Sequence, residues 1–89
     1  MIDYNKVFGD PILPYVLELD KLDGNNLSYA MSLHLQKRHS NAKDILLELK
    51  EKYPSNLIIL SYLAEQYKKL GEKSEYKKII EIIKRIGKE

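Results

Sequence analysis

The sequence predicts an all-α domain made of antiparallel helical hairpins. From residue 26 onward, apolar residues recur at steps of three and four, as in Ile45, Leu46 and Leu49, which is the spacing of one helix face. No stretch of four to eight residues alternates apolar and polar side chains as a half-buried strand would. The 89 residues include only 4 Gly and 3 Pro, which is typical of a single helix-rich domain.

Residues 1–22 are expected to form an arm and a helix that caps the domain. Residues 1–9 are assigned to the arm. Apolar residues from Ile12 to Leu22 follow Pro11, a residue that favours the first turn of a helix. Because a stack of helical hairpins leaves the face of its first helix bare, we expect this helix to cover that face.

Turn and capping residues divide the rest of the chain into four helices. Ser40-Asn41, Ser55-Asn56 and Ser74 are candidate N-caps, while Pro54 and Gly71 end the helices before them. The predicted helices span residues 25–37, 41–53, 57–70 and 74–87. The connections are so short that consecutive helices must be antiparallel neighbours, which predicts two hairpins.

The two hairpins match each other when the sequence is shifted so that Ala30 falls on Ala64, a shift called the repeat offset below. Apolar positions then coincide, with Leu46 on Ile80 and Leu49 on Ile83. The other identical pairs are Ser40 with Ser74, Lys43 with Lys77, Ile45 with Ile79 and Lys50 with Lys84. Core and surface positions therefore both repeat.

Small residues stand where helices of such a hairpin cross closely. Ala30 and Ala64 lie within the first helices of the two units, and Ala42 lies where the second helix crosses the first. Pro54-Ser55-Asn56 closes the first unit, and Gly71 follows the third helix. In these residues the chain resembles the tetratricopeptide repeat family, whose unit is a helix–turn–helix of about 34 residues.

The resemblance implies two repeats, residues 23–56 and 57–89, stacked as a short α-solenoid behind the arm and capping helix of residues 1–22. It also implies a protein–protein interaction module, such as an adaptor, a scaffold or a chaperone-like protein. In this family the first helices of successive repeats line a concave groove. The corresponding residues here are Leu27, Met31, His34, Tyr62, Glu65, Lys68 and Lys69.

The expected partner is a protein that presents an apolar peptide or an amphipathic helix. Leu27 and Met31 stand where the family's carboxylate clamp has polar residues, so a terminal acidic tail is not favoured. The alternative is that the helix within residues 1–22 occupies the groove itself.

No pattern in the sequence predicts catalysis, a metal site or a cofactor. The absence of Cys excludes thiolate metal sites and thiol nucleophiles. His34 and His39 are five positions apart and lack the i,i+4 partners of a helical metal site, and no Gly-rich phosphate loop occurs. We therefore expect a non-enzymatic protein without metal or cofactor. A signal peptide and a membrane-spanning run are both missing, which favours the cytoplasm.

The last helix has apolar residues on more than one side. At 100° per residue, the apolar residues of this helix cannot share one narrow stripe, so we expect one apolar side to remain after the helix packs. These residues are Tyr76, Ile79, Ile80, Ile82, Ile83 and Ile86. We expect Ile79, Ile82 and Ile86 to form a self-association face in a homodimer. A self-assembling structural subunit is therefore the first alternative function.

Basic residues concentrate at the C-terminal end. Residues 68–89 contain eight basic and four acidic side chains, although the net charge of the chain is only +2. Lys-mediated contact with RNA or an anionic surface is the second alternative function. Lys outnumbers Arg there, and only Tyr67 and Tyr76 interleave with the basic residues, so nucleic acid is not the expected partner.

Overall fold

The computed structural model describes residues 18–87, which form four α-helices and no strand. The helices are α1 Lys21–Leu35, α2 His39–Lys52, α3 Leu57–Leu70 and α4 Lys73–Gly87. The prediction of an all-α domain is confirmed, and every helix ends at or close to its predicted end. The predicted arm, and the predicted capping helix up to residue 17, lie outside the described residues.

The first helix, α1, begins at Lys21, earlier than predicted. The side chain of Asp20 accepts a hydrogen bond from the backbone N–H of Asp23 at 2.8 Å, which satisfies one of the free amides at the helix start. The helix then continues through Gly24, a residue that costs about 1 kcal/mol relative to Ala in a helix interior. The predicted start at residue 25 is therefore wrong.

Among the predicted N-caps, Asn56 is confirmed. Its side-chain oxygen accepts hydrogen bonds from the backbone N–H groups of Ile58 at 3.1 Å and Ile59 at 3.2 Å. The helices α2 and α4 begin before their predicted caps, so Ser40-Asn41 and Ser74 lie inside them. Those two predicted caps are wrong.

The core lies where consecutive helices meet. The helix α2 packs on both α1 and α3, α4 packs on α3, and α1 also contacts α3. The buried apolar cluster consists of Leu27, Ala30, Leu46, Leu49, Ile59, Leu60, Leu63, Ala64, Tyr67 and Ile79. These contacts bring the C-terminal half of α1 beside α3, where the candidate site lies.

The turns of the two hairpins have the same hydrogen-bond pattern, related by the repeat offset. The backbone N–H of Arg38 donates to the carbonyl of Leu33 at 2.8 Å, and the N–H of Glu72 donates to the carbonyl of Tyr67 at 2.9 Å. In each turn the preceding residue donates to the carbonyl three positions before it, at 3.0 and 3.2 Å. This pair of bonds is the Schellman motif that ends many helices.

The Schellman motif requires a left-handed backbone at the residue after the helix, and the two hairpins fill that position differently. Lys37 has φ 64° in the first turn, and Gly71 has φ 74° in the second. Glycine adopts this conformation without the clash that a Cβ atom causes, whereas lysine does not. The repeat offset places Lys37 on Gly71, so the repeat found in the sequence extends to the backbone of both turns.

Candidate functional site

An open depression of about 320 Å³ lies where the C-terminal end of α1 meets α3. It is lined by His34 of α1 and by Ser61, Tyr62 and Glu65 of α3. Glu65 is three positions after Tyr62 and four positions after Ser61, so it neighbours both residues on the surface of α3. Three of the seven residues predicted for the groove, His34, Tyr62 and Glu65, therefore lie together around this depression.

The wall of the depression is held by a buried glutamine. Gln66 is 0% exposed, and its side-chain amide nitrogen donates to the backbone carbonyl of Tyr62 at 2.8 Å. Its side-chain oxygen lies 2.7 Å from Nδ1 of His39. Because a carbonyl oxygen can only accept, Nδ1 of His39 must hold the proton of that bond. These two bonds fix the orientation of the Gln66 amide.

The same amide also fixes His34. Nδ1 of His34 lies 3.2 Å from the side-chain oxygen of Gln66 and 3.1 Å from its nitrogen. When Nδ1 is bare it accepts from the amide nitrogen, and when Nδ1 is protonated it donates to the amide oxygen. The ring of His34 is therefore hydrogen-bonded in either state, and His34 also lines the depression.

Ring contacts hold His34 from two further directions. Its centroid lies 5.9 Å from that of Tyr62 at an interplanar angle of 85°, and 5.3 Å from that of His39 at 64°. Edge-to-face arrangements at these separations are favourable because ring edges and faces have opposite partial charge. The depression thus has a rigid aromatic wall, with the Glu65 carboxylate exposed beside it.

The other predicted groove residues lie elsewhere. Leu27 is 4% exposed and belongs to the core, so its assignment to the groove is wrong. Its side chain points at the packed interior because α1 turns that face toward α2 and α3. Met31 is half-buried against the core, Lys69 is exposed on α3, and Lys68 lines a separate depression at the α3–α4 turn.

Two of the three predicted self-association residues are half-buried, and the third is buried in the core. Ile79 is 4% exposed and packs in the core, whereas Ile82 and Ile86 are partly covered by it. Ile79 lies at the centre of the wide apolar arc of α4, so it is the residue that faces α3. The expectation that Ile79 remains exposed is wrong.

A second polar cluster joins the start of α1 to the end of α2. The buried carboxylate of Asp23 accepts hydrogen bonds from the Tyr53 hydroxyl at 2.7 Å and from Nζ of Lys52 at 3.1 Å. These two bonds, that of Tyr53 first, hold the pKa of Asp23 below its ordinary value, and the same bond raises the pKa of Tyr53. The adjoining cavity is only about 50 Å³, and the hydrogen bonds of Asp23 link the start of α1 to the end of α2.

Sequence reasoning missed Gln66 and undervalued His39. Gln66 stands between Leu63 and Tyr67 on the buried face of α3, and a polar residue at such a position is the signal that it has a specific partner. His39 was considered only as a metal ligand. Within residues 18–87, no group of three or more His, Cys, Asp or Glu side chains is placed to hold a metal ion.

Comparison with known proteins finds no match to this chain among protein-family models, curated proteins or solved structures. No helix in residues 18–87 has the length and apolar character needed to cross a membrane.

Proposed function

We propose that this protein is a non-enzymatic interaction module that binds an amphipathic helix or peptide of a partner protein in the depression formed by His34, Tyr62 and Glu65. The observation that supports it most is the Gln66 network, which holds an aromatic wall rigid beside an open space of about 320 Å³. Preorganised walls favour binding because little side-chain freedom is lost when the partner docks.

The chemistry of the depression defines the partner. The Tyr62 ring offers apolar surface, and Met31, three positions before His34 on α1, is half-buried. The Glu65 carboxylate and the Ser61 hydroxyl, both exposed, can accept hydrogen bonds. The best ligand therefore places an apolar side chain on Tyr62 and a cationic or donor group next to Glu65, as an amphipathic helix does.

Selection of peptides from a displayed library of helical sequences tests this proposal. Peptides recovered on the full chain should lose affinity about tenfold on Tyr62→Ala, because an aromatic anchor at the centre of an interface dominates its energy. Tyr29→Ala is the matched control, since Tyr29 is an α1 tyrosine that is 56% exposed and lies outside the depression. Equal losses on both variants, or none on Tyr62→Ala, would contradict the proposal.

We also propose that the two hairpins stack as a short solenoid of the tetratricopeptide type. Support comes from the Schellman turns, whose bonds recur at the repeat offset, and from the contact between the two first helices, α1 and α3. In such a stack α1 and α3 stand side by side, and the depression at His34 and Tyr62 lies on their shared face.

Self-association is a second candidate function, and the half-buried isoleucines of α4 favour it. Ile82 and Ile86 remain partly exposed on the last helix of the described chain, together with Ile80 and Ile83. Sedimentation over a concentration series should show a dimer that Ile82→Glu dissociates, with Lys77→Glu as an exposed control on the same helix. A wild-type chain that stays monomeric throughout the series would contradict this candidate.

A further inference from the structure

A second depression, of about 220 Å³, lies at the turn between α3 and α4. Its lining consists of Tyr67, Lys68, Gly71, Lys73 and Tyr76. Its size suits one large side chain and is below the range of about 300–1,000 Å³ typical of small-molecule sites. Two aromatic residues and two lysines thus surround a space fitted to a single side chain.

The corresponding place on the first hairpin is occupied. When the repeat offset is applied backwards, the five lining residues become Leu33, His34, Lys37, His39 and Ala42. There the next helix, α3, packs beside the turn, and the buried side chain of Gln66 bonds to both His34 and His39. The equivalent place on the second hairpin is the depression of about 220 Å³, which is lined only by α3, the turn and α4.

The chemistry of the open place differs in one respect. Lys68 and Lys73 stand at the repeat positions of His34 and His39. A side chain placed as Gln66 is on the first hairpin would therefore meet two cationic donors instead of two histidines. Neither lysine has an ion-pair partner within residues 18–87. A neutral amide suits the histidines, whereas a carboxylate suits two lysines.

The nearby acidic residues do not neutralise these lysines. Glu72 is paired with Lys43 at 3.0 Å, and Glu75 is paired with Lys78 at 3.4 Å. Burial, with a smaller contribution from the two carboxylates, raises the pKa of Tyr67, so its hydroxyl stays neutral and can donate a hydrogen bond. The depression therefore offers an incoming side chain two lysines without ion-pair partners in residues 18–87, together with aromatic surface.

Apolar residues continue from this depression along α4. Ala42, Leu46 and Leu49 of α2 are buried, and α2 packs on both α1 and α3. Their counterparts at the repeat offset are Tyr76, Ile80 and Ile83, which are only partly buried. A helix that docked on α4 as α3 docks on α2 would cover them.

We propose that the open edge of the second hairpin binds a partner helix, and that an acidic side chain of this helix takes the place that Gln66 has on the first hairpin, between Lys68 and Lys73. This surface lies apart from the depression at His34 and Tyr62, so the inference goes beyond the function proposed above. The helix α1 of a second copy does not fit, because Ser32 would stand at the Gln66 position. The occupant is an amphipathic helix with Glu or Asp at that position.

Two synthetic peptides of residues 55–72, one with Gln66→Glu and one with Gln66→Lys, serve as probes against the full-length chain. The Glu peptide should bind about tenfold tighter than the Lys peptide, because it turns repulsion from two lysines into attraction. The preference should reverse on the variant Lys68→Glu/Lys73→Glu. It should persist on Lys77→Glu/Lys84→Glu, which makes the same charge change at exposed α4 positions outside the depression.

Equal affinity of both peptides for the wild type, equal effects of the two double variants, or no binding by either peptide would overturn the proposal. A dimer of the chain that Lys68→Glu/Lys73→Glu dissociates would also overturn it, since the occupant would then be a second copy. None of these results depends on Tyr62, so this inference can fail while the proposed function stands.

A helix fused to the C-terminus of the chain tests the same docking geometry, and the result does not depend on the affinity of a separate peptide. Residues 56–72 repeated directly after Glu89 keep the register of the repeat, because Glu89 corresponds to Ser55. The fusion with Glu at the Gln66 position should unfold at a higher urea concentration than the fusion with Lys. Identical midpoints would overturn the proposal.

Discussion

The two helical hairpins share one backbone plan and differ in what covers them. Both turns contain the same pair of Schellman bonds, and α2 and α4 begin at equivalent positions, His39 and Lys73. The first hairpin is covered by α3, which buries Leu46 completely, whereas its counterpart Ile80 on the second hairpin is only partly buried. Burial in this domain therefore depends on the next helix more than on the local sequence.

The largest expected effect is a difference in stability between substitutions at equivalent core positions of the two hairpins. Leu46→Ala should lower the free energy of unfolding by about 2–5 kcal/mol, because a fully buried side chain leaves a cavity. Ile80→Ala should cost roughly 1 kcal/mol, since less of its surface is removed from water on folding. Urea titrations followed by circular dichroism measure both. Equal costs would show that α4 is covered in solution as fully as α2.

The next effect concerns the hydrogen bonds of Gln66 to His34 and His39, which have no counterpart on the second hairpin within residues 18–87. Gln66→Leu should cost about 1–3 kcal/mol, because Nδ1–H of His39 and Nδ1 of His34 lose their buried partner. Gln36→Leu is the control, because Gln36 donates to Ser32 on the exposed surface, and such changes usually stay within about 0.5 kcal/mol. A Gln66→Leu variant as stable as the wild type would show that the hydrogen bonds of Gln66 do not contribute to the free energy of unfolding.

A smaller effect of opposite sign is expected at the two turns. Gly71→Ala should destabilise by about 1 kcal/mol, because Ala resists a left-handed backbone, while an added Cβ meets no atom within 4 Å. Lys37→Gly should stabilise by roughly 0.5–1 kcal/mol at the equivalent position. Thermal unfolding of the two variants compares them directly. Effects of the same sign would contradict the equivalence of the turns.

The fold followed from local signals, and its errors have local causes. Helical spacing located all four helices, and Asn56 and Gly71 marked the limits of α3 correctly because each acts on its own backbone. Gly24 concealed the true start of α1, which the Asp20 side chain stabilises. Ile79 was misplaced because the apolar arc of α4 is wide, and sequence spacing does not say which part faces α3.

The candidate site was less accessible from the sequence, because it joins residues from three helices. The family resemblance predicted His34, Tyr62 and Glu65 for one groove, and these three residues line one depression, although their role as a binding site stays a prediction. The bonds of Gln66 to His34 and His39 span 32 and 27 positions, and no local pattern encodes such pairs. The preference proposed for an acidic side chain on the second hairpin likewise depends on the structure, because only the structure shows that Gln66 fills the equivalent place on the first hairpin.

The smallest expected effect is a pH dependence that belongs to the first hairpin alone, since the repeat offset places Leu57 and Gly87 at the positions of Asp23 and Tyr53. The bonds from Tyr53 and Lys52 lower the pKa of Asp23 in the folded chain. A lowered folded-state pKa stabilises the fold fully above the unfolded-state pKa of about 4, and this stabilisation is lost as the pH falls through the folded-state pKa.

The difference in unfolding free energy between wild type and Asp23→Asn should therefore be constant near neutral pH and shrink below about pH 4, where the protonated Asp resembles Asn. Tyr53→Phe removes the main cause of the shift, so NMR titration should show the pKa of Asp23 rising toward its ordinary value of 3.8. If the difference between wild type and Asp23→Asn grows as the solution becomes more acidic, Asp23 is not stabilised in its charged form. The contact between α1 and α2 would then rest on its apolar residues.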